Sequence, residues 1–354
     1  MANDLNADLA YRALALQFKT YAVNNCHGRE EARALMMQSI GRLGDQLPAT
    51  KGWIGSDLKA VVVPEYFLTG FPMGDAIEAW ADKAALEVDG PEYEALGAIA
   101  QSSKIHLAGN AYEQDVNFPG IYFQTSFIIA PSGNVILRYR RLLSTFSPSP
   151  YDFLDKYLEI YGEDSLFQVV KSELGVLACI SSEEIIYPEI VRCHALKGAE
   201  VFFHSSSEPG ASTMTPKNVA KRARAAENLA YIVSANSGGI YNYAMAAEAT
   251  DGHSQVVDFM GNVIVEAAPG ESMIAYAEID LAALRRYRAR PGIFNILSRQ
   301  PTELYAREFA KTPVSPPNLL VNEDGTLKHP QRSFFIERQK AVIEGMKARG
   351  IIQS

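Results

Sequence analysis

The chain has 354 residues, of which 47% are hydrophobic, so it is long enough to bury a large core in one or two domains. Its formal net charge of -8 and its lack of basic clusters argue against a nucleic-acid partner. Three cysteines without CxxC or Cys/His ligand spacing argue against a disulfide framework or a zinc site, and no apolar run reaches the ~18 residues of a membrane span.

The same composition limits the expected partners. A sparse, odd set of cysteines favours a reducing cytoplasm, and the first residues lack the basic and apolar regions of a signal peptide. No glycine-rich phosphate loop follows a predicted strand, so no nucleotide cofactor is expected, and the absence of ligand spacing predicts no metal. We expect a cytoplasmic protein that acts on a small molecule, with neither nucleic acid nor a membrane as partner.

Short apolar runs and helical periodicity alternate along the chain. The predicted strands cover residues 13–18, 58–63, 105–111, 122–130, 135–139, 176–180, 201–204, 231–235, 255–258, 263–267 and 275–279. The predicted helices cover residues 29–47, 93–102, 189–196 and 217–229. Continuous apolar strands with two inserted hairpins imply an α/β protein whose mixed sheets carry helices on their outer faces.

No linker interrupts this pattern before Pro313, so one domain is predicted over residues 1–300, followed by a C-terminal extension over residues 301–354. Residues 311–330 are rich in Pro, Asn and Gly and predict an extended arm, and residues 331–351 predict a basic terminal helix. We interpret this extension as a solvated or partner-wrapping arm without a catalytic role.

Three segments place polar residues at the ends of predicted strands. They are Pro-Glu-Tyr-Phe-Leu-Thr-Gly at residues 64–70, Tyr-Arg-Arg at residues 139–141, and a Ser-Ser-Glu-Glu corner at residues 181–184 that leads into a helix near Pro188. Taken in this order, the segments resemble the nitrilase superfamily of carbon–nitrogen hydrolases, whose elbow reads Cys-x-Asp/Glu-x-x-aromatic-Pro-Glu. Tyr-Pro-Glu at residues 187–189 leans toward the aliphatic-amidase branch.

The resemblance implies an αββα sandwich that pairs through its helices into a homodimer or a higher homo-oligomer. It also implies a glutamate, a lysine and a cysteine at neighbouring strand ends. The thiolate attacks an amide or nitrile carbon, the glutamate moves the proton, and the lysine stabilises the developing negative charge.

Carried over to this chain, the resemblance places Glu65 at the general base, Arg141 at the lysine and Ser182 at the cysteine. Counting back six residues from Pro188 selects Ser182, and Glu184 then fills the acidic position of the elbow. The second glutamate of many members is absent near Ser149, where no acid occurs until Asp152. Lys156 could reach the site from that loop, although a lysine in Asp-Lys-Tyr is more often a surface residue.

An alignment on Cys179 would need three inserted residues, so we interpret Cys179 as a buried core thiol. A serine needs a positioned base, unlike a partly ionised thiol. His204 and Glu208, after the next strand, are candidates for substrate contact, although a loop histidine bonded to backbone explains His204 equally well. Tyr66 and Glu184 complete the predicted substrate-binding residues. The aromatic ring of Tyr66 could line a pocket, although core packing explains it as readily.

Three functions remain open. The first is hydrolysis of a small amide or related compound, with Ser182 as an unusual nucleophile or as an exchanged natural cysteine. A single exchange does not explain Arg141 or the absent second glutamate. The second is therefore an offshoot of the fold with non-hydrolytic or non-covalent chemistry, in which Arg141 holds an anionic group. The third is a ligand-binding protein without turnover.

Overall fold

The computed structural model describes residues 9–209 and 214–353. Within these residues, the strands are β1 (Ala10–Ala15), β2 (Thr20–Tyr21), β3 (Leu58–Val62), β4 (His106–Glu113), β5 (Phe123–Ile129), β6 (Val135–Arg140), β7 (Val170–Ser172), β8 (Gly175–Ser181), β9 (Val201–Ser205), β10 (Tyr231–Ala235), β11 (Ile240–Tyr241), β12 (Gln255–Val257), β13 (Val263–Glu266) and β14 (Tyr276–Asp280). The α-helices are α1 (Arg29–Ile54), α2 (Ile77–Ala84), α3 (Pro91–Ser103), α4 (Leu154–Tyr161), α5 (Pro188–Leu196), α6 (Pro216–Asn228), α7 (Leu281–Arg288), α8 (Thr302–Lys311) and α9 (Ser333–Ala348).

Two six-stranded sheets form the centre of the molecule. The first has the order β14-β1-β3-β4-β5-β6 and the second the order β13-β12-β10-β9-β8-β7. In the first sheet the neighbouring strands β1, β3 and β4 are parallel to one another, and in the second sheet β8, β9 and β10 are parallel. All other neighbours in the two sheets pair antiparallel. Because parallel strands share a direction, β3, β8 and β9 bring their carboxyl ends to common edges where polar residues can meet.

Strand alternation explains how the layers stack. In β3 and the residue after it, Val61 and Val63 face a cluster that includes residues of α1 and α3, whereas Ala60 and Val62 face the second sheet. A side-chain period of two therefore splits one apolar run between the helical layer and the inter-sheet core.

The second sheet follows the same rule. In β8, Leu177 and Cys179 lie in the core between the sheets, and Ala178 and Ile180 pack with residues of α5 and α6. The result is the four-layer α-β-β-α arrangement that the sequence predicts.

The C-terminal extension differs from the predicted solvated arm. Leu320 and Phe335 are each 1% exposed and belong to the core cluster on the helical side of the first sheet. Arg338 forms an ion pair with the buried carboxylate of Asp152. Phe335 of α9 and Leu320 before it thus give the extension a buried attachment to the domain, whereas α8 has no buried residue.

None of the helices in the described ranges is both long and apolar enough to cross a membrane. In the same part of the chain, no group of three or more His, Cys, Asp or Glu side chains is arranged to hold a metal ion.

Candidate active site

Three strand ends meet at one cavity of about 360 Å³. Glu65 follows β3, Arg141 follows β6 and Ser182 follows β8, and all three side chains line this cavity. Ser205, at the end of β9, donates a 2.8 Å hydrogen bond from its Oγ to the carbonyl oxygen of Val63. This bond joins the two sheets beside the cavity, so residues from both sheets are held in one site.

Ser182 occupies a strained elbow between β8 and the 3-10 turn at Ser182–Ile186. Its φ of 48° lies in the left-handed region, which costs a non-glycine residue about 1–2 kcal/mol. The side chain is directed to the cavity although the residue is 3% exposed. A strained backbone at this position is typical of nucleophile elbows, where a sharp turn after a strand presents a hydroxyl to the substrate.

A lysine absent from the predicted site residues contacts this serine. Lys217 lies in the first turn of α6, directly after Pro216, and its Nζ is 2.8 Å from the Oγ of Ser182 and 3.4 Å from the Oγ of Ser206. Burial lowers the pKa of the Lys217 ammonium from its ordinary value, although the charges of Glu65 and Glu208 oppose this change. The pair therefore combines a hydroxyl with an amine that loses its proton more readily than a free lysine.

Arg141 is fully engaged by groups around the cavity. Its Nη1 lies 2.6 Å from the Oε1 of Gln124 and 3.5 Å from the Oε1 of Glu65, and its Nη2 pairs with Glu183. Its Nε donates to the carbonyl oxygen of Leu143 at 2.6 Å. Arg141 consequently fixes the position of two carboxylates, and it stays charged because a guanidinium does not lose its proton in proteins.

The carboxylate of Glu65 has a second anchor from the neighbouring strand end. The Oγ of Ser207, after β9, donates a hydrogen bond to its Oε2, and the backbone N–H of Glu65 donates to the carbonyl oxygen of Ser206 at 3.2 Å. Glu65 is only 2% exposed, yet it lines the cavity. Its carboxylate is thus held rigidly on the same side as Ser182 and Lys217.

Aromatic rings form another part of the wall. Tyr66 has a φ of 53°, which turns the chain sharply after Glu65, and its ring stacks on Tyr112 with centroids 4.5 Å apart and planes at 4°. Phe71 meets Tyr66 edge-on at 5.4 Å. Tyr66, Tyr112 and Phe71 all line the cavity, which pairs a polar end with an apolar one.

Glu184 lies behind the cavity wall and does not line it. Its carboxylate accepts a 2.8 Å hydrogen bond from the Tyr139 hydroxyl and bonds of 2.7 and 3.1 Å from the backbone N–H groups of Leu142 and Leu143. Burial raises the pKa of Glu184 to about 7, against the opposing effects of Arg141 and these donors. Its place in the structure is therefore that of a support for the loop after Arg141, not the substrate contact that the sequence predicts.

His204 and Glu208 also lie outside the cavity lining. The Nε2 of His204 is 2.9 Å from the backbone oxygen of Ser182 and its Nδ1 is 2.8 Å from Ser234 Oγ, while burial, followed by the charge of Lys221, lowers its pKa to about 3. Glu208 pairs with the buried Lys221, which keeps the pKa of Glu208 below its ordinary value although burial raises it. Neither residue is at the cavity surface, where a substrate contact was predicted. His204 instead supports the elbow, and Glu208 supports the start of α6.

A family model described as carbon-nitrogen hydrolase matches residues 12–289. The chain belongs to the carbon-nitrogen hydrolase family. The predicted membership of the nitrilase superfamily and the predicted αββα fold are thereby confirmed.

Similar proteins include two curated enzymes and one solved structure. The omega-amidase NIT2 of Danio rerio is 26% identical over 271 residues, which cover 75% of this chain and 90% of that protein. The formamidase of Bacillus thuringiensis (strain Al Hakam) is 28% identical over 280 residues, covering 76% of this chain and 77% of the relative. The crystal structure of Nit3 from Saccharomyces cerevisiae, a member of branch 10 of the nitrilase superfamily, matches with a TM-score of 0.62 at 20% identity and covers 79% of this chain and 93% of that one.

Within this carbon–nitrogen hydrolase, sequence reasoning missed two cationic residues of the cavity, Lys217 and Arg332. Lys217 lies 35 positions after Ser182 and follows Thr-Pro, a signature of a helix start that gives no hint of a site. Lys156 is not part of the cavity lining, and its Nζ lies 5.3 Å from the centroid of Phe118. The polar Ser-Ser-Ser run at residues 205–207, directly after a buried strand, was the one available signal for this wall.

Cys179 lies in the core between the sheets and is 1% exposed, whereas Ser182 lines the cavity. Burial raises the pKa of the Cys179 thiol well above its ordinary range. A thiol in that environment is not a nucleophile, and the position that faces the cavity holds a serine.

Proposed function

We propose that this protein hydrolyses a small amide through Ser182. In this proposal Lys217 is the base that activates the serine, and the Glu65 carboxylate is the base that later deprotonates water. The 2.8 Å contact between Lys217 Nζ and Ser182 Oγ carries this proposal. The relatives named omega-amidase and formamidase support an amide as the substrate class.

Lys217 meets the requirement that a serine nucleophile places on its surroundings. A hydroxyl needs a base within hydrogen-bond distance, and lysine serves this role in Ser-Lys variants of the catalytic triad. The ammonium form of Lys217 donates to Ser182 Oγ, and the neutral form, favoured by burial, accepts the hydroxyl proton. Neither Arg141, which stays protonated, nor His204, whose Nε2 faces the backbone oxygen of Ser182, can take that proton.

The proposed reaction proceeds in two stages. Ser182 Oγ forms a bond to the amide carbonyl carbon while its proton moves to Lys217 Nζ, and the carbonyl electrons move to the oxygen. The tetrahedral species collapses, the C–N bond breaks, and Lys217 returns the proton to the departing amine. A water molecule, deprotonated by Glu65, then cleaves the acyl ester, and its proton restores the Ser182 hydroxyl, so that one water is consumed for each amide.

Arg141 has a positioning role in this proposal. Its contacts with Glu65, Glu183 and Gln124 occupy its Nη atoms, so it holds the carboxylates and adds positive charge to a partly enclosed cavity. That charge favours the tetrahedral species, in which a negative oxygen develops. The guanidinium thus retains the electrostatic part of the family's lysine, and Lys217 supplies the proton transfer.

Ammonia release from a panel of small amides and nitriles, with intact-mass detection of an acyl adduct, tests the proposal. We expect Ser182→Ala to abolish both signals and Lys217→Met to lower kcat by about 10²–10⁴-fold. Lys171→Met, at an exposed position of β7, is the matched control and should retain full activity. Glu65→Gln should also abolish turnover.

Two results decide against this mechanism. If Lys217→Met retains full activity, Lys217 is not the base. If neither the natural chain nor Ser182→Cys turns over any amide or nitrile, while ligands still bind, the protein is a ligand-binding member of its family. A gain of activity in Ser182→Cys that Glu65→Gln abolishes would show that the scaffold retains hydrolase chemistry and that Ser182 limits its rate.

A further inference from the structure

Arg332 brings a guanidinium from the C-terminal extension into the wall of the cavity. It immediately precedes α9, whose Phe335 is buried in the core. Its Nε donates to the carbonyl oxygen of Asp75 at 2.6 Å, and its Nη1 lies 3.0 Å from the carbonyl oxygen of Phe146 and 3.3 Å from the Tyr122 hydroxyl. Three neutral acceptors therefore fix the orientation of the charged group.

The remaining nitrogen of Arg332 has no acceptor. Its Nη2 is buried and makes no hydrogen bond within residues 9–209 and 214–353, and no carboxylate of those residues pairs with the guanidinium. A buried donor without an acceptor costs about 1–3 kcal/mol, and more when the group is charged. Binding of an anion at Arg332 would therefore be favourable, because the anion would supply both the missing acceptor and the missing negative charge.

The other two basic side chains of the cavity already have partners. Arg141 pairs with Glu65 and Glu183, and Lys217 is bonded to Ser182. Both carboxylates that line the cavity, Glu65 and Glu183, are paired with Arg141. Within the described residues Arg332 forms no ion pair with either of them, and none of its hydrogen bonds involves Ser182.

We propose that Arg332 binds a carboxylate of the substrate, so that the site selects small amides that carry a negative charge at a distance from the amide group. The amide part of this statement rests on the function proposed above. The planar guanidinium offers Nη2 to one carboxylate oxygen and its charge to the whole group. The aromatic wall formed by Tyr66, Tyr112 and Phe71 suits the apolar carbons between the two ends.

This recognition element lies outside the part of the chain that the family model matches, which ends at residue 289. The extension places Arg332 in the cavity through the burial of Phe335 and the ion pair between Arg338 and Asp152. The proposed specificity thus depends on the extension, which lies outside the matched family domain.

Calorimetric binding to the Ser182→Ala protein tests the inference without any turnover. The probes are the monoamides of succinic, glutaric and adipic acid, each compared with the uncharged diamide of the same length. We expect at least one monoamide to bind about tenfold or more tightly than its diamide, because a charged hydrogen bond contributes about 1.5–3 kcal/mol. Arg332→Gln, added to Ser182→Ala, should remove this preference and leave diamide affinity within about twofold.

Two further variants separate recognition from folding. Arg332→Lys keeps the charge without the planar fork and should restore part of the preference. Arg349→Gln, on an exposed arginine just after α9, is the matched control and should change neither affinity. Equal binding of every monoamide and diamide, no binding of any monoamide, or a parallel loss of both affinities in Arg332→Gln would overturn the inference. A failure of the proposed hydrolysis appears instead as absent ammonia release with the binding preference intact.

Discussion

Lys217 combines a flexible, titratable amine with a position that lowers its pKa. It lies at the beginning of α6, where the positive end of the helix dipole also disfavours a cation. A lysine that is easily deprotonated and adjacent to Ser182 is suited to act as a base, whereas arginine at the family's lysine position cannot do so. In the proposed mechanism, proton transfer therefore falls to Lys217, in another part of the same cavity.

The pH dependence of turnover follows from the state that Lys217 needs. A base acts only after losing its proton, so kcat/KM should rise with pH through the pKa of Lys217, which burial lowers from its ordinary value of about 10.4. Lys217→Met should remove this rise, and Lys171→Met should preserve it. A pH–rate profile that is the same in the natural chain and in Lys217→Met would contradict the assignment.

At this scale, sequence reasoning located the strand-end residues better than their partners. Glu65, Arg141 and Ser182 follow apolar strands, and a strand end is visible in sequence as the point where the apolar run stops. The contact of Lys217 with Ser182 depends on how α6 packs over the elbow, and hydrophobic periodicity carries no information about that packing. Glu184 shows the opposite limit. Its acidic side chain matches the family pattern, but the sequence does not reveal that it is buried behind the cavity and supports the loop after Arg141.

Among the structural elements, the elbow and the loop after β6 depend on each other through Glu184. This carboxylate accepts the N–H groups of Leu142 and Leu143 and the Tyr139 hydroxyl, and it lies two residues after Ser182. The loop that carries Arg141 and the turn that carries Ser182 are consequently joined behind the cavity.

Glu184→Ala should destabilise the protein by about 3 kcal/mol, because three buried donors lose their acceptor at once. Glu184→Gln retains a carbonyl oxygen for the two backbone N–H groups and should cost less. Urea unfolding monitored by fluorescence measures both values. A loss in Glu184→Ala no larger than in Glu184→Gln would show that the three hydrogen bonds contribute little.

The elements themselves were largely predictable. The predicted strands and helices overlap β1, β3–β6, β8–β10, β12–β14, α1, α3, α5, α6 and α9, since long apolar or amphipathic segments determine them. The eight-residue helices α2, α4 and α7 were missed because two turns give too short a period to recognise. Helix α1 continues to Ile54, past Pro48 and beyond the predicted end at residue 47.

For the whole molecule, the extension is the part that sequence reasoning interpreted least well. A Pro-, Asn- and Gly-rich composition correctly indicated little regular structure over residues 312–332, but composition does not reveal that Leu320 and Phe335 find a buried surface. Tertiary burial of a few apolar side chains outweighed the polar average of the segment. The homo-oligomer implied by the family resemblance stays a prediction.

Phe335→Ala should cost about 3–5 kcal/mol of unfolding free energy and weaken the attachment of α9. Ile343→Ala, at an exposed position of the same helix, should change stability by less than about 1 kcal/mol. Urea unfolding gives the free energies, and limited proteolysis reports detachment of the extension. Equal stability and equal proteolysis of the two variants would mean that the extension is not held by Phe335.

Arg332 lies after the region that the family model matches. The residues proposed for catalysis and the residue proposed for substrate selection therefore lie in different parts of the sequence. The proposed nucleophile, its proposed base and the two cavity carboxylates lie within residues 65–217, while the proposed selecting cation lies in a tail that contributes no strand to either six-stranded sheet. In this proposal the shared domain supplies the elbow and the tail supplies the selection by charge. Proteins with the same elbow and different tails are then expected to have diverged in the charge of the molecules they accept, so ligand preference would not follow from overall identity within this family.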